Sequence, residues 1–166
     1  MTHNKFVFQE ELSSKRTEGL FVALMVLFLL LFAWRIRTSG AGVLSAVFLF
    51  FFVFFLFYSI NYRTLRLHLT PERLKLKFGV FSWTVPLENV EDCALDDVPL
   101  LARIGGAGIH FMFIRQRYRV IFNFLEYPRL VVALKKKQGL VRDVVFSTQN
   151  PAEIERLIIE ARSEAR

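Results

Sequence analysis

The chain divides by the rhythm of its apolar positions. Gly19 to Trp34 ("GLFVALMVLFLLLFAW") carries no charge, and neither does Gly40 to Ile60 ("GAGVLSAVFLFFFVFFLFYSI"). Neither run has a polar face, and seven of the ten residues 48–57 are Phe. A helix that is apolar all round belongs in a membrane or deep in a large core, and a span takes roughly 20 apolar residues. The second run meets that length. The first reaches it by borrowing turns from its flanks, with Arg35 and Arg37 snorkelling to the interface. A signal peptide would need a small-x-small cleavage site, and none separates the first run from the second, which follows after only "RIRTS". The pattern therefore predicts a tail over 1–18, a retained transmembrane helical hairpin over 19–60 and a domain over 61–166.

Beyond Ile60 the period becomes two. In "TLRLHL" Leu65, Leu67 and Leu69 alternate with Arg66 and His68, and in "LKLKF" Leu74, Leu76 and Phe78 alternate with Lys75 and Lys77. Such alternation marks half-buried antiparallel strands, here joined by the turn "TPER". A third strand is expected from about Trp83 to Leu95, with Pro86 placing its start at an edge. "IHFMFIR", "YRVIFNF", "RLVVALKK" and "VRDVVFST" read as four more, joined by "RQR", "LEYP" and "KQG", which are short enough for hairpins. The chain closes on a helix over 151–164. Asn150 is its expected N-cap, Pro151 its first residue and Glu153 its capping-box partner. Ile154, Leu157, Ile158 and Ala161 form one apolar stripe. The expected fold is thus mainly β and membrane-anchored: two transmembrane helices, then seven antiparallel strands in a barrel or sandwich capped by the terminal helix.

Charge adds an orientation. Lys5, Lys15, Arg16, Arg63, Arg66, Arg73, Lys75 and Lys77 flank the hairpin's two ends, against Arg35 and Arg37 in its loop. Positive-inside logic puts both termini and the domain on the cytoplasmic side of the plasma membrane. The lone Cys93 rules out an intramolecular disulfide, which fits a reducing compartment.

The stretch "LTPERLKLKFGVFSWTVPLENVEDCAL" and the closing "VRDVVFSTQNPAEIERLI", behind a two-helix hairpin, resemble the bacterial pleckstrin-homology-like family in its membrane-anchored form. The "L-T-x-E-R-L" entry, the "V-P-L-E-N-V" strand and the "F-S-T-x-N-P" junction carry the match over residues 61–162. The resemblance implies a seven-stranded barrel with a C-terminal helix, and no catalytic activity. Phosphoinositide-binding relatives use a roomy loop between their first two strands. Here that connection is the tight "TPER", so no headgroup-binding residues are carried over.

No cofactor is expected. His3, His68 and His110 lie far apart, one cysteine makes no zinc site, and no G-x-S-x-G elbow or Walker loop is present. "GGAG" (Gly105 to Gly108) leads into a strand and reads as a loop rather than a phosphate cradle. Glu88, Glu91, Asp92, Asp96 and Asp97 form an acidic segment, the place to look for an enzyme. Residues 61–149 hold 14 Lys and Arg against 8 Asp and Glu. The basic residues gather at two hairpin tips: Arg115, Arg117 and Arg119 in "RQRYR", and Lys135, Lys136 and Lys137 in "KKKQG". These six are the candidate contacts for an anionic surface, each worth about 1 kcal/mol beside anionic lipid. The expected function is a non-catalytic, membrane-anchored interaction or assembly module whose partners are the bilayer and a protein, a second copy or an anionic lipid surface. Nucleic acid and a small-molecule substrate are not expected. The alternative is an accessory subunit of a membrane enzyme or transporter, or an enzyme using residues 88–97.

Overall fold

Strand pairing begins before the apolar runs. In a computed structural model, which describes residues 8–96, 108–114 and 116–164, Phe8–Ser13 is a strand, β1. The expected tail is therefore part of the β unit, which takes in residues 1–13 and 64–166, while residues 14–63 form a second unit. In β1, Phe8, Glu10 and Leu12 share a face, and Leu12 is fully buried.

The second unit is the helical hairpin. Helix α1 (Lys15–Ser39) is capped by Ser14, whose Oγ accepts the Thr17 N–H at 3.0 Å. Helix α2 is Val43–Asn61. Both are long and apolar enough to cross a membrane, with peak mean hydropathies of 2.4 and 2.6. They pack through aromatics: Phe28 stacks on Phe51 at 5.0 Å and on Phe55 at 5.6 Å. Gly42 plays no part in close packing, since a Cβ there would meet nothing within 4 Å. At the base, Arg63 pairs with Glu18 at 2.6 Å.

In the β unit, β1 is followed by β2 (Thr64–Leu69), β3 (Arg73–Phe78) and β4 (Phe81–Pro86) in one antiparallel sheet, ordered as in the chain. The alternation works as read: Leu65, Leu67, Leu69, Leu74, Leu76 and Phe78 are all fully buried, each contributing about 1.5–3 kcal/mol. "TPER" turns on Thr70, whose N–H reaches the Arg73 carbonyl at 2.9 Å and whose Oγ1 accepts the Arg73 N–H at 3.1 Å.

The expected third strand is two. A 3-10 turn at Leu87–Asn89 breaks it, and Pro86 ends β4 rather than starting it. The chain then enters a second sheet as β5 (Val90–Leu95). This sheet also holds β6 (Gly108–Ile114), β7 (Arg117–Asn123), β8 (Arg129–Gln138) and β9 (Val141–Ser147), in the order β5-β8-β9-β7-β6. "LEYP" is therefore not a hairpin: β7 lies parallel to β9, and β8 pairs with β5 and β9. Nine strands in two sheets of four and five, one of them mixed, replace the expected seven antiparallel strands among the described residues.

The terminal helix, α3 (Pro151–Glu164), packs over β5, the 3-10 turn and β8. Ile154 and Ile158 are fully buried there, and Leu157 is half-buried. The side-chain bonds at its entry come from Thr148 and Glu10, not from the expected capping box. Thr148 Oγ1 accepts the Asn150 N–H at 3.0 Å, while Glu10 accepts from the Thr148 hydroxyl at 2.6 Å and the Gln149 N–H at 2.9 Å.

Contacts between the sheets set their stacking. The register puts Ser13, Thr64, Phe78 and Phe81 at one end of the first sheet, where the chain leaves for α1 and returns from α2; Leu69, Arg73 and Pro86 lie at the other. Phe78 meets Phe122 and Phe124 just beyond it, with ring centroids 6.2 and 5.1 Å apart. Trp83 meets Phe111 of β6 at 6.5 Å, and Tyr127 donates to the Ser13 carbonyl at 2.9 Å. At the far end, Asn89 bonds both backbone groups of Lys136 in β8. Within the β unit, β5 thus lies beside α3, and β6 meets the middle of β4 through Phe111 and Trp83.

Candidate functional site

The face of the second sheet turned away from Phe78 carries charge. Register aligns Met112 with Arg119, Arg119 with Asp143, and Asp143 with Ala133, so these positions share a face with His110 and Arg129. Arg119 reaches Asp143 at 3.0 Å and Asp96 at 3.6 Å. Arg129 closes on Asp96 from the other side, and the Asp96 N–H donates to the Arg129 carbonyl at 2.9 Å. Arg117 adds a 2.7 Å contact to Asp143 and a longer one, 3.7 Å, to Glu91. Arg119, Arg129, Asp96 and Asp143 are all buried. Such a network adds little net stability over apolar packing, but losing one member strands a buried charge at a cost of about 3–5 kcal/mol. Its chemistry is that of a clasp: it ties β5, β7, β8 and β9 in one register.

This redistributes the candidate basic residues. Arg119 is buried and Arg117 is engaged, so neither presents a free guanidinium outward. Arg115 lies outside the described residues. Lys135, Lys136 and Lys137 are exposed, with Lys135 Nζ donating to the Glu88 carbonyl at 2.6 Å. Beside them the two tips form a shallow groove of about 450 Å3, lined by Phe113, Gln116, Tyr118, Lys137, Leu140 and Arg142. Phe113 and Leu140 are 70% and 75% exposed. Gly139 supplies the positive φ, 62°, that the β8–β9 turn needs.

The acidic segment does not converge. Asp96 is held in the clasp, while Glu88, Glu91 and Asp92 point to solvent; Asp97 and Gly105 to Ala107 lie outside the described residues. No group of three metal-ligating side chains occurs among the described residues. Burial, reinforced by Glu155 and Asp92, pushes the Cys93 thiol up to about 12, which keeps it from being a thiolate nucleophile near neutrality. Burial and then Arg129 push the His110 imidazole below its usual range; His68 moves the same way through burial, Lys75 and Arg66.

Sequence reasoning missed Glu10 and the clasp. The clasp has a faint signal, since Arg117, Arg119 and Asp143 share strand parity, but only the parallel β7–β9 pairing brings them together. No family model, no curated protein and no solved structure matches the chain.

Proposed function

We propose that this chain is a non-catalytic, membrane-anchored module of pleckstrin-homology-like type at the cytoplasmic face of the plasma membrane, and that Lys135, Lys136 and Lys137 receive an acidic surface of a protein partner. One observation carries the reading: β1 precedes the hairpin and β2 follows it, and the two pair along their whole length from Phe8↔Leu69 to Ser13↔Thr64. A hairpin that spans a bilayer returns the chain to the side it left, as that pairing requires.

The strand order supports the family likeness. Without the β6–β7 hairpin, seven strands remain, β1 to β4 and then β5, β8 and β9, all antiparallel to their neighbours and ending in α3. The inserted hairpin accounts for the parallel pair. A protein partner is read for the lysines because Lys137 shares a groove with the exposed apolar side chains of Phe113 and Leu140, the mix of apolar area and charge that a protein interface uses.

The test uses the intact chain in gently solubilised membranes. Wild type should retain a partner at low salt and release it at high salt, and the Lys135→Gln, Lys136→Gln, Lys137→Gln variant should not retain it. Identical recovery by both would remove the lysines from the reading. Reporters active only outside the cytoplasm should be silent at the C-terminal end and active at Ser39; the reverse pattern would invert the assigned side.

A further inference from the structure

Each sheet has two edges, and three of the four are guarded. β1 carries Gln9, Glu10 and Glu11, and Glu10 binds the start of α3. β4 ends in Pro86 and receives Gln138 Nε2 on the Thr84 carbonyl at 3.1 Å. β5 carries Glu91 and Asp92, shifts register between Val90 and Asp92, and is packed by α3. Charge, proline, bulges and a covering helix are the ordinary means of keeping a sheet edge from pairing with another chain. β6 has none of them among the described residues. Its sequence, "GIHFMFI", holds no Lys, Arg, Asp, Glu or Pro. It pairs in unbroken register from Gly108↔Asn123 to Ile114↔Arg117 with β7, its only strand partner among the described residues. Its other side therefore offers a regular row of backbone N–H and C=O groups.

This edge leads into the groove between the two tips. Ile109, Phe111 and Phe113 share one face of β6 by strand parity, and Phe113 also lines the groove with Lys137, Leu140 and Arg142. Lys137 and Arg142 are exposed and make no ion pair among the described residues. We infer that β6 accepts an extended segment of the protein partner as a further strand of the second sheet, and that acidic residues at one end of that segment cross the groove to Lys137 and Arg142. In such strand addition the main-chain ladder supplies affinity, and neighbouring pockets select side chains. Side chains of the added strand that fall beside Phe111 and Phe113, 51% and 70% exposed, must be apolar, because cross-strand neighbours touch. Charge decides against a second copy as the occupant. Residues 61–149 hold 14 Lys and Arg against 8 Asp and Glu, so two copies repel, while an acidic segment is drawn in. The inference rests on the reading of a protein partner and deepens it: the basic tips select an acidic partner, and the β6 edge selects an extended one.

The experiment uses the intact chain in detergent and synthetic fluorescent peptides of alternating Val and Thr, with a run of Glu at one terminus or the other. Anisotropy should show saturable binding of one of them, several-fold weaker when the run is Lys, and Arg142→Gln should narrow that gap. Hydrogen exchange should slow at residues 108–114 when the peptide is added, and not along β1, β4 or β5. Methylating the backbone nitrogen of every second peptide residue should weaken binding by roughly tenfold or more when those N–H groups face β6, and little when the set is moved by one residue. Absence of binding, protection at a different edge, or equal weakening by both methylated sets overturns the inference. So does protection of 108–114 that grows with protein concentration without peptide, which would give the edge to a second copy. The peptide and exchange readings use no lysine variant. Their failure beside a partner that the lysines retain therefore removes the β6 strand and leaves the proposed function standing.

Discussion

His110 shows what burial does to a single side chain. Both ring nitrogens are buried, and neither has a hydrogen-bond partner among the described residues. Burial first, and the Arg129 guanidinium second, hold its pKa below the usual 6.5. The fold therefore keeps the imidazole neutral, while the unfolded chain takes up a proton near the ordinary value. The stability this contributes is fully present above that value and is lost as pH falls through it toward the lower folded pKa. His68 shifts in the same direction, so part of the effect belongs to it. The melting temperature of the detergent-solubilised chain should drop between neutral pH and about pH 5, and His110→Leu should lessen the drop. An equal drop in variant and wild type would refute this account. The sequence placed His110 on a strand. It could not show the residue's burial, because the face that β6 buries depends on which strands lie beside it.

Among elements, β1 is the most informative. A fragment of residues 61–166 matches the domain read from the sequence, yet it lacks β1. That removes the fully buried Leu12, worth about 1.5–3 kcal/mol. It also removes the Glu10 carboxylate that accepts two hydrogen bonds at the entry to α3, each worth about 1.5–3 kcal/mol. Joining residues 1–13 to Thr64 through a short Gly-rich turn should restore both, since Ser13 and Thr64 face each other across the ladder. The joined protein should melt far above the fragment by circular dichroism; equal melting would mean β1 is dispensable. The strand escaped notice because Glu10 occupies an apolar position between Phe8 and Leu12 and breaks the alternation. Strands β2 and β3 were legible because no such substitution interrupts them. The terminal helix was legible from Pro151 and its stripe, whereas its anchor, Glu10, lies 138 residues from Thr148.

At the scale of the whole molecule, the two units are joined twice, at Ser13–Ser14 and at Arg63–Thr64. Deleting Val43–Asn61 leaves one helix long enough to span. In the proposed reading Thr64 would then emerge on the opposite side from Ser13, and β1 could not reach β2. Limited proteolysis should find the β unit sensitive in that variant and resistant in wild type. Resistance in both would show that the helices do not separate the strands, and would undo the reading of the hairpin as a pair of spans. The overall class, apolar helices followed by a β-rich domain and a helix, was legible because the periods change so sharply at Ile60. Strand order was not, because pairing β7 with β9 is a long-range choice that no local period records.

The pairing of β1 with β2 also has a history in time. About 50 residues separate the two strands, and a ribosome adding about 5–20 residues per second needs roughly 3–10 seconds to make them. For that interval β1 is a finished strand with no ladder to join. Its Gln9, Glu10 and Glu11 are the kind of residues that keep a lone strand from sticking to others. Glu10 thus serves two successive environments: solvated while the strand is alone, then buried as the acceptor that fixes the start of α3 once that segment has been made.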